Sequence, residues 1–219
     1  MRGADIERWS AIPEIYVLGT QNQKTRSGYE EKKIKLEWPR TFGYLTRFKH
    51  VLVERVVYKK HQPDNKATFY SQYNIADYSF SRYKVVWKRM ANDTVAAVIS
   101  QYKTAFGYKT LVPTDTISLF ALDNESEAHY LCAIINSRPI REFVKSYSSA
   151  CRGFGAPSVM NHIGIPKFDP QNELHQQLAQ AFIKLQEFKV RNSLGKISEL
   201  EGLNDELVKK LFGLNKGSG

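Results

Sequence analysis

The chain has little of what most catalytic sites are built from. It holds two cysteines, Cys132 and Cys151, in 219 residues, too few for a disulfide framework or a cysteine-based metal site. Cys132 lies in the apolar run from Tyr130 to Ile135 and reads as a small buried hydrophobe in a reducing compartment. The five histidines, His50, His61, His129, His162 and His175, are scattered and form no zinc-ligand spacing. No Gly-x-x-x-x-Gly-Lys-Ser/Thr phosphate loop occurs, and Gly153-Phe154-Gly155 reads as a turn. A magnesium-dependent nuclease needs carboxylates converging on the ion. Glu30-Glu31-Lys32-Lys33 reads instead as a solvated charge run, and Pro63-Asp64 has no Glu-x-Lys close behind it. Long apolar runs are missing too. Met1–Ile12 has no signal core, and no window approaches the ~18 uninterrupted apolar residues of a membrane span. A soluble, cytoplasmic protein without membrane contact is expected.

Acid is scarce in one place. Between Tyr44 and Thr110 lie 12 of the 32 Lys and Arg, 4 of the 22 Asp and Glu, and 8 of the 12 Tyr. That stretch is +8 in a chain of +10, so the other 152 residues are nearly neutral. Basic residues interleaved with aromatics outline a nucleic-acid-binding face. Lys and Arg neutralise phosphates, and Tyr offers flat contact area with a hydroxyl. With 42% hydrophobic and 12% aromatic residues, the chain has ample material for a core.

The expected fold is α+β (mixed), with a twisted, mainly antiparallel sheet, flanking helices and a C-terminal helical tail. The expected division is 1–169, then a helical segment at 170–213, then a disordered end at 214–219. Pro39 opens a helix with Phe42, Leu45, Phe48, Leu52 and Val56 on one face and Arg47, Lys49, Arg55, Lys59 and Lys60 opposite. The turn Pro63-Asp64-Asn65 ends it. Short strands follow at Phe69–Tyr73, Lys84–Met90, Val95–Gln101 and Thr116–Leu122. Asn124 and Glu127 have capping-box spacing before a helix with Tyr130, Leu131, Ile134 and Ile135 on its apolar face. Another helix starts at Ser137-Arg138-Pro139. Asp169-Pro170 caps a long one that ends at Gly195, and a short one spans Asn204–Phe212. The long helix either covers the sheet or pairs with another subunit.

Several stretches share an order and spacing. They are Arg2-Gly3-Ala4-Asp5-Ile6-Glu7-Arg8-Trp9; Tyr44-Leu45 through Leu52 and Arg55; Tyr78-Ser79-Phe80 with Lys84-Val85-Val86-Trp87; and Tyr130-Leu131-Cys132-Ala133-Ile134-Ile135-Asn136-Ser137. Ile165-Pro166-Lys167-Phe168-Asp169-Pro170 with His175-Gln176-Gln177-Leu178-Ala179, and Asn204 through Gly213-Leu214, complete the series. Across nearly its whole length the chain resembles the TaqI-like C-terminal specificity domain, the target-recognition domain of adenine-specific DNA methyltransferases and fused restriction–modification enzymes. Asn204 and Phe212 stand where that family usually has Ile and Tyr. The resemblance implies a recognition module for double-stranded DNA that is not catalytic by itself. It also implies a partner methyltransferase domain or subunit that binds S-adenosylmethionine. The chain has no Pro-Pro pair, and so lacks the Asn/Asp-Pro-Pro-aromatic loop that adenine methyltransferases need for the flipped base.

Which residues touch DNA is read from their chemistry. Arg82, Lys84, Lys88 and Arg89 are candidates for base readout, since Arg and Lys donate to guanine O6 and N7. Lys49, Lys59, Lys60, Lys103, Lys109 and Arg152 are candidates for phosphate contact, and Tyr70, Tyr73 and Tyr108 for stacking. Trp87 and Tyr130 read as core. Two other readings stay open: a catalytic nuclease or methyltransferase fragment with an unrecognised site, and an RNA-binding domain whose aromatics stack on unpaired bases.

Overall fold

The computed structural model describes residues 1–22, 28–61, 67–73, 75–147 and 157–214. The fold is mixed, with small antiparallel sheets and a C-terminal helical region. The chain divides into two compact units, a sheet unit of Met1–Ile15 with Phe80–Gly219 and a helical unit of Tyr16–Ser79.

The sheet unit opens with two short paired strands, β1 (Ile6–Glu7) and β2 (Ser10–Ala11). Its centre is β3 (Tyr83–Lys88), flanked antiparallel by β4 (Ala96–Ile99) and β7 (Ile117–Leu122). Between β4 and β7 the chain leaves this sheet as a separate two-stranded ribbon, β5 (Gln101–Thr104) and β6 (Gly107–Thr110). The run Val85-Val86-Trp87 is continuously apolar because β3 is covered on both faces. Val85 and Trp87 join the larger core with Tyr130, Ile134, Leu178, Phe182 and Val208, while Val86 packs with Met1, Ile6, Ile99 and Ile117.

Helix α5 (Glu125–Asn136) starts as expected, with the Asn124 side chain accepting from the Glu127 amide at 3.0 Å. It is buried at eight of its twelve positions, so it is the central helix of the unit. Each fully buried Ile or Leu removes apolar surface worth about 1.5–3 kcal/mol from water. Helices α6 (Arg138–Tyr147), α7 (Pro157–Met160), α8 (Glu173–Val190) and α9 (Leu194–Leu211) follow.

The division expected at 169 lies inside one core. Leu178, Phe182, Leu185 and Val208, from α8 and α9, are packed into the same cluster as Val85 and Trp87. The tail therefore completes the sheet unit. Of the expected disordered end, only Leu214 is among the described residues. Helix α8 starts later than expected. Asn172 is its cap, accepting from the Leu174 and His175 amides, while the Asp169 side chain accepts from the Gln171 amide at 2.8 Å and its own amide donates to His175 Nδ1 at 3.0 Å. It ends at Val190, with Arg191 as its C-cap, rather than at Gly195. Asn192, at φ 57, makes the left-handed step that Asn tolerates, and Gly195 lies inside α9. Gly213, at φ 65, then closes α9 with Leu214 N–H donating to Lys209 O at 2.9 Å.

The opening motif is structural. Arg2 and Asp5 hold each other by an ion pair of 2.9 Å and a backbone bond of 2.7 Å. Trp9 is buried at the strained φ of 72, held by Nε1 donating to Glu201 at 2.7 Å and by its amide on Ala96 O. Arg8 pairs with Asp93 and Glu201, and Asp93 also takes Arg141 at 2.6 Å and Lys145 at 3.7 Å. Asn136 clamps α5 to β4, its amide both accepting from Ala96 N and donating to Ala96 O at 2.9 Å.

The helical unit holds α1 (Glu31–Glu37), α2 (Pro39–Arg47), α3 (Lys49–Glu54) and α4 (Val56–His61) around Ile34, Leu45, Tyr58, Phe69 and Tyr70. The single helix expected after Pro39 is thus three pieces. The chain turns at Phe48 and is extended at Arg55 (φ −59, ψ 130), which leaves Val56 81% exposed. Phe69–Tyr73 is not a strand. Arg55 donates to Phe69 O at 2.8 Å and Thr20 Oγ1 to Tyr70 O at 2.7 Å, so side chains satisfy carbonyls that a ladder would otherwise need. The turn expected at Pro63-Asp64-Asn65 and the glycine turn at Gly153-Phe154-Gly155 lie outside the described residues.

Candidate nucleic-acid interface

The basic stretch of the sequence is shared between the two units. Lys49, Lys59, Lys60, Tyr70 and Tyr73 belong to the helical unit. Arg82, Lys84, Lys88, Arg89, Lys103, Tyr108 and Lys109 belong to the sheet unit. Arg152 lies outside the described residues.

Two candidates are withdrawn by burial. Lys84 is fully buried in the central strand, and its Nζ donates to Ser81 O at 2.7 Å. Burial pulls its pKa down to about 8. Position 84 alternates with Val86 on a covered face of β3, so no groove edge reaches it. Tyr70 is also buried, and its hydroxyl donates to Tyr29 O at 2.7 Å. Burial raises its pKa. A ring that fills a core cannot stack on a base. Trp87, against Phe120 at 4.8 Å, and Tyr130, whose hydroxyl donates to Pro166 O, are core as expected.

The rest of the helical unit's set is mostly engaged within that unit. Lys49 Nζ lies 5.3 Å from the centre of the Phe69 ring, and Lys59 pairs with Glu54. Lys60 is exposed and Tyr73 half-buried. Burial also raises the Tyr73 pKa, against the opposing charge of Arg55.

In the sheet unit, β3 separates the base-readout candidates. Arg82 precedes the strand and Arg89 follows it, about 23 Å apart at ~3.3 Å per residue. Lys88 is half-buried beside a recess lined by Arg2, Gly3, Thr114 and Thr116. Arg89 is exposed, with its guanidinium donating to Asp115 O at 3.3 Å.

At the Arg82 end stands the β5–β6 ribbon. Every residue of its two strands except Thr104 is exposed. Tyr102 is 39% exposed, Phe106 at the tip 74% and Tyr108 67%. The ribbon carries Lys103 and Lys109 and no acidic residue from Gln101 to Thr110. Its tip is set by Gly107 at φ 85 and by Thr104 Oγ1, which accepts from the Phe106 amide and donates to Gly107 O. At its foot a recess is lined by Ser81, Arg82, Tyr83, Ser100, Gln101 and Thr110. Glu125 closes the recess and accepts from the Tyr83 hydroxyl at 3.3 Å. The Arg82 guanidinium lies 5.3 Å from the centre of the Tyr83 ring.

The sequence reading found Lys103, Tyr108 and Lys109 but not the element that joins them, nor Gln101 and Phe106. The signal is there. Tyr-Lys-Thr at 102–104 returns at 108–110 after Ala105-Phe106-Gly107, two short β-rich runs around a glycine-bearing turn.

Among the described residues, no group of three or more His, Cys, Asp and Glu could hold a metal ion, and no helix is long and apolar enough to cross a membrane. Cys132 is fully buried, which pushes its thiol pKa well up and away from nucleophilic use. No protein-family model matches the chain, and no curated protein matches its sequence.

Proposed function

We propose that this chain is a sequence-specific recognition module for duplex DNA, inert as a catalyst by itself, that serves an adenine-specific methyltransferase of a cytoplasmic restriction–modification system. The observation that carries the reading is the β5–β6 ribbon. It stands clear of the main sheet, bears Lys103 and Lys109, exposes Tyr102, Phe106 and Tyr108, and carries no acid.

A solitary two-stranded hairpin in water is marginal in stability, and exposed aromatics are costly to leave in solvent. Both facts make sense for an element that works against a surface. B-DNA's major groove admits a two-stranded ribbon, and Lys residues along it neutralise phosphates and release counterions. The motifs that resemble TaqI-like specificity domains support the same reading. In it, S-adenosylmethionine and the methyl transfer belong to a partner domain or subunit, and this chain supplies the address.

The test is fluorescence anisotropy of the purified chain with a labelled duplex at two salt concentrations, about 50 and 150 mM. Expected is binding that weakens steeply with salt, and a slope of log K against log salt that flattens by about one for Lys109→Ala. Duplex binding that is absent at both concentrations would falsify the reading. Tighter binding to single-stranded RNA than to duplex would move the function to RNA.

A further inference from the structure

The ribbon has two faces, and the geometry points to one of them as the reader of bases. We propose that the face carrying Gln101, Lys103, Tyr108 and Thr110, continued by Arg82, contacts base edges, and that Gln101 selects an adenine while Arg82 selects a guanine. This rests on the proposed function and assigns the chemistry within it.

The pleat decides which residues share a face. Alternate residues of a strand point to opposite sides, and residues directly opposite across an antiparallel pair point to the same side. Gln101 faces Thr110 and Lys103 faces Tyr108 across the ladder, while Tyr102 faces Lys109 and Thr104 faces Gly107. Gln101, Thr110, Lys103 and Tyr108 therefore form one face, and Tyr102 and Lys109 the other. Of these, Gln101 and Thr110 line the recess that Arg82 also lines. The first face thus runs without a break from the tip, through Tyr108 and Lys103, to Gln101, Thr110 and Arg82.

The chemistry of the first face suits bases. A glutamine amide both donates and accepts, which matches adenine N7 and N6. A guanidinium donates twice, which matches guanine N7 and O6. Gln101 and Arg82 are both exposed. Residues two apart on a strand are separated by ~6.8 Å, close to two base-pair steps at about 3.4 Å each. Gln101 and Lys103 therefore address bases two pairs apart on one groove wall. The opposite face offers Tyr102 and Lys109, one ring and one cation, suited to sugar and phosphate.

The experiment is selection of random duplex DNA by the whole chain and by four variants, with affinities measured on the enriched sequence. For the wild type a motif containing both an adenine and a guanine is expected. Gln101→Ala should make the adenine position degenerate at a cost of about tenfold or more, the worth of one good bidentate contact. Gln101→Glu should move that position toward cytosine, whose N4 amino group a carboxylate accepts from. Arg82→Ala should blur the guanine position alone. Lys109→Ala should weaken every sequence alike. All three side chains are exposed, so folding is preserved and a circular dichroism melt verifies it. An unchanged motif in Gln101→Ala and Arg82→Ala, or loss of preference in Lys109→Ala, overturns the face assignment while leaving duplex recognition intact. Wild-type binding with no enriched motif overturns it too. No duplex binding by the wild type overturns both this inference and the function on which it rests.

Discussion

Strand β3 and the β5–β6 ribbon use the same kinds of residue, Tyr, Lys and apolar side chains, and place them in opposite environments. Val85, Val86 and Trp87 are covered on both faces of β3, and even Lys84 is enclosed. The ribbon leaves Tyr102, Lys103, Tyr108 and Lys109 in solvent on both of its faces. One ladder is therefore held by the hydrophobic effect, at about 25 cal/mol per Å² of apolar surface buried. The other is held by its own backbone bonds and a tight tip. A Lys in the first is a cost; a Lys in the second is available to a polyanion. Exposure, more than residue type, separates the stabilising ladder from the one proposed to bind DNA.

Four changes break or sharpen that contrast. The largest effect is expected for Trp87→Ala, which empties a site filled against Phe120 and should cost about 3–5 kcal/mol of stability. Chemical denaturation would measure it. Lys103→Ala on the ribbon should leave the same midpoint within about 0.5 kcal/mol. Equal losses from the two substitutions would show that the ribbon is packed like the core.

Next is Asp93→Asn. Burial works to raise the Asp93 pKa, but the hydrogen bond from Arg141 and the charges of Arg141, Lys145 and Arg8 outweigh it, and the pKa falls below its ordinary 3.8. A lowered carboxyl pKa stabilises the fold above the unfolded value and loses that contribution as pH falls through the folded value. The substitution should cost about 2 kcal/mol near neutral pH and flatten the acid limb of the stability profile below pH 3.8. An acid limb that coincides with the wild type would remove Asp93 from the acid-sensitive groups.

A smaller effect than that of Asp93→Asn is expected at Lys84. With its pKa at about 8 against an ordinary 10.5, the unfolded chain holds a proton in that window that the folded chain has released. Stability attributable to Lys84 therefore rises with pH between these values, and the full penalty of its charge is present below the lower one. Lys84→Met should raise stability at neutral pH by on the order of 1 kcal/mol, with the gain shrinking toward pH 10.5. Melting temperatures of both proteins at neutral and alkaline pH check the sign. A variant less stable at pH 7 would mean that the Ser81 hydrogen bond outweighs the buried charge.

Much of the fold was legible in the sequence because local rules suffice for it. Asn124 caps α5, Val85-Val86-Trp87 marks a covered strand, and Gly213 ends the last helix, each from local chemistry within a few positions. The misreadings came where distant residues satisfied the backbone. Arg55 and Thr20 take the carbonyls of Phe69 and Tyr70, which turns an apparent strand into a loop. The start of α8 is set by Asn172, whose side chain accepts from the Leu174 and His175 amides.

The candidate site followed the same division. That Lys103, Tyr108 and Lys109 are cationic or aromatic is a property of the sequence, as is the acid-poor stretch around them. That Lys84 and Tyr70 are unusable was decided by the tertiary structure, because burial depends on what covers a residue and not on the residue itself. The pairing of β5 with β6, which puts Gln101 beside Arg82 at one recess, was decided there too. Register fixes the face of a side chain, and register is set only when the two strands meet.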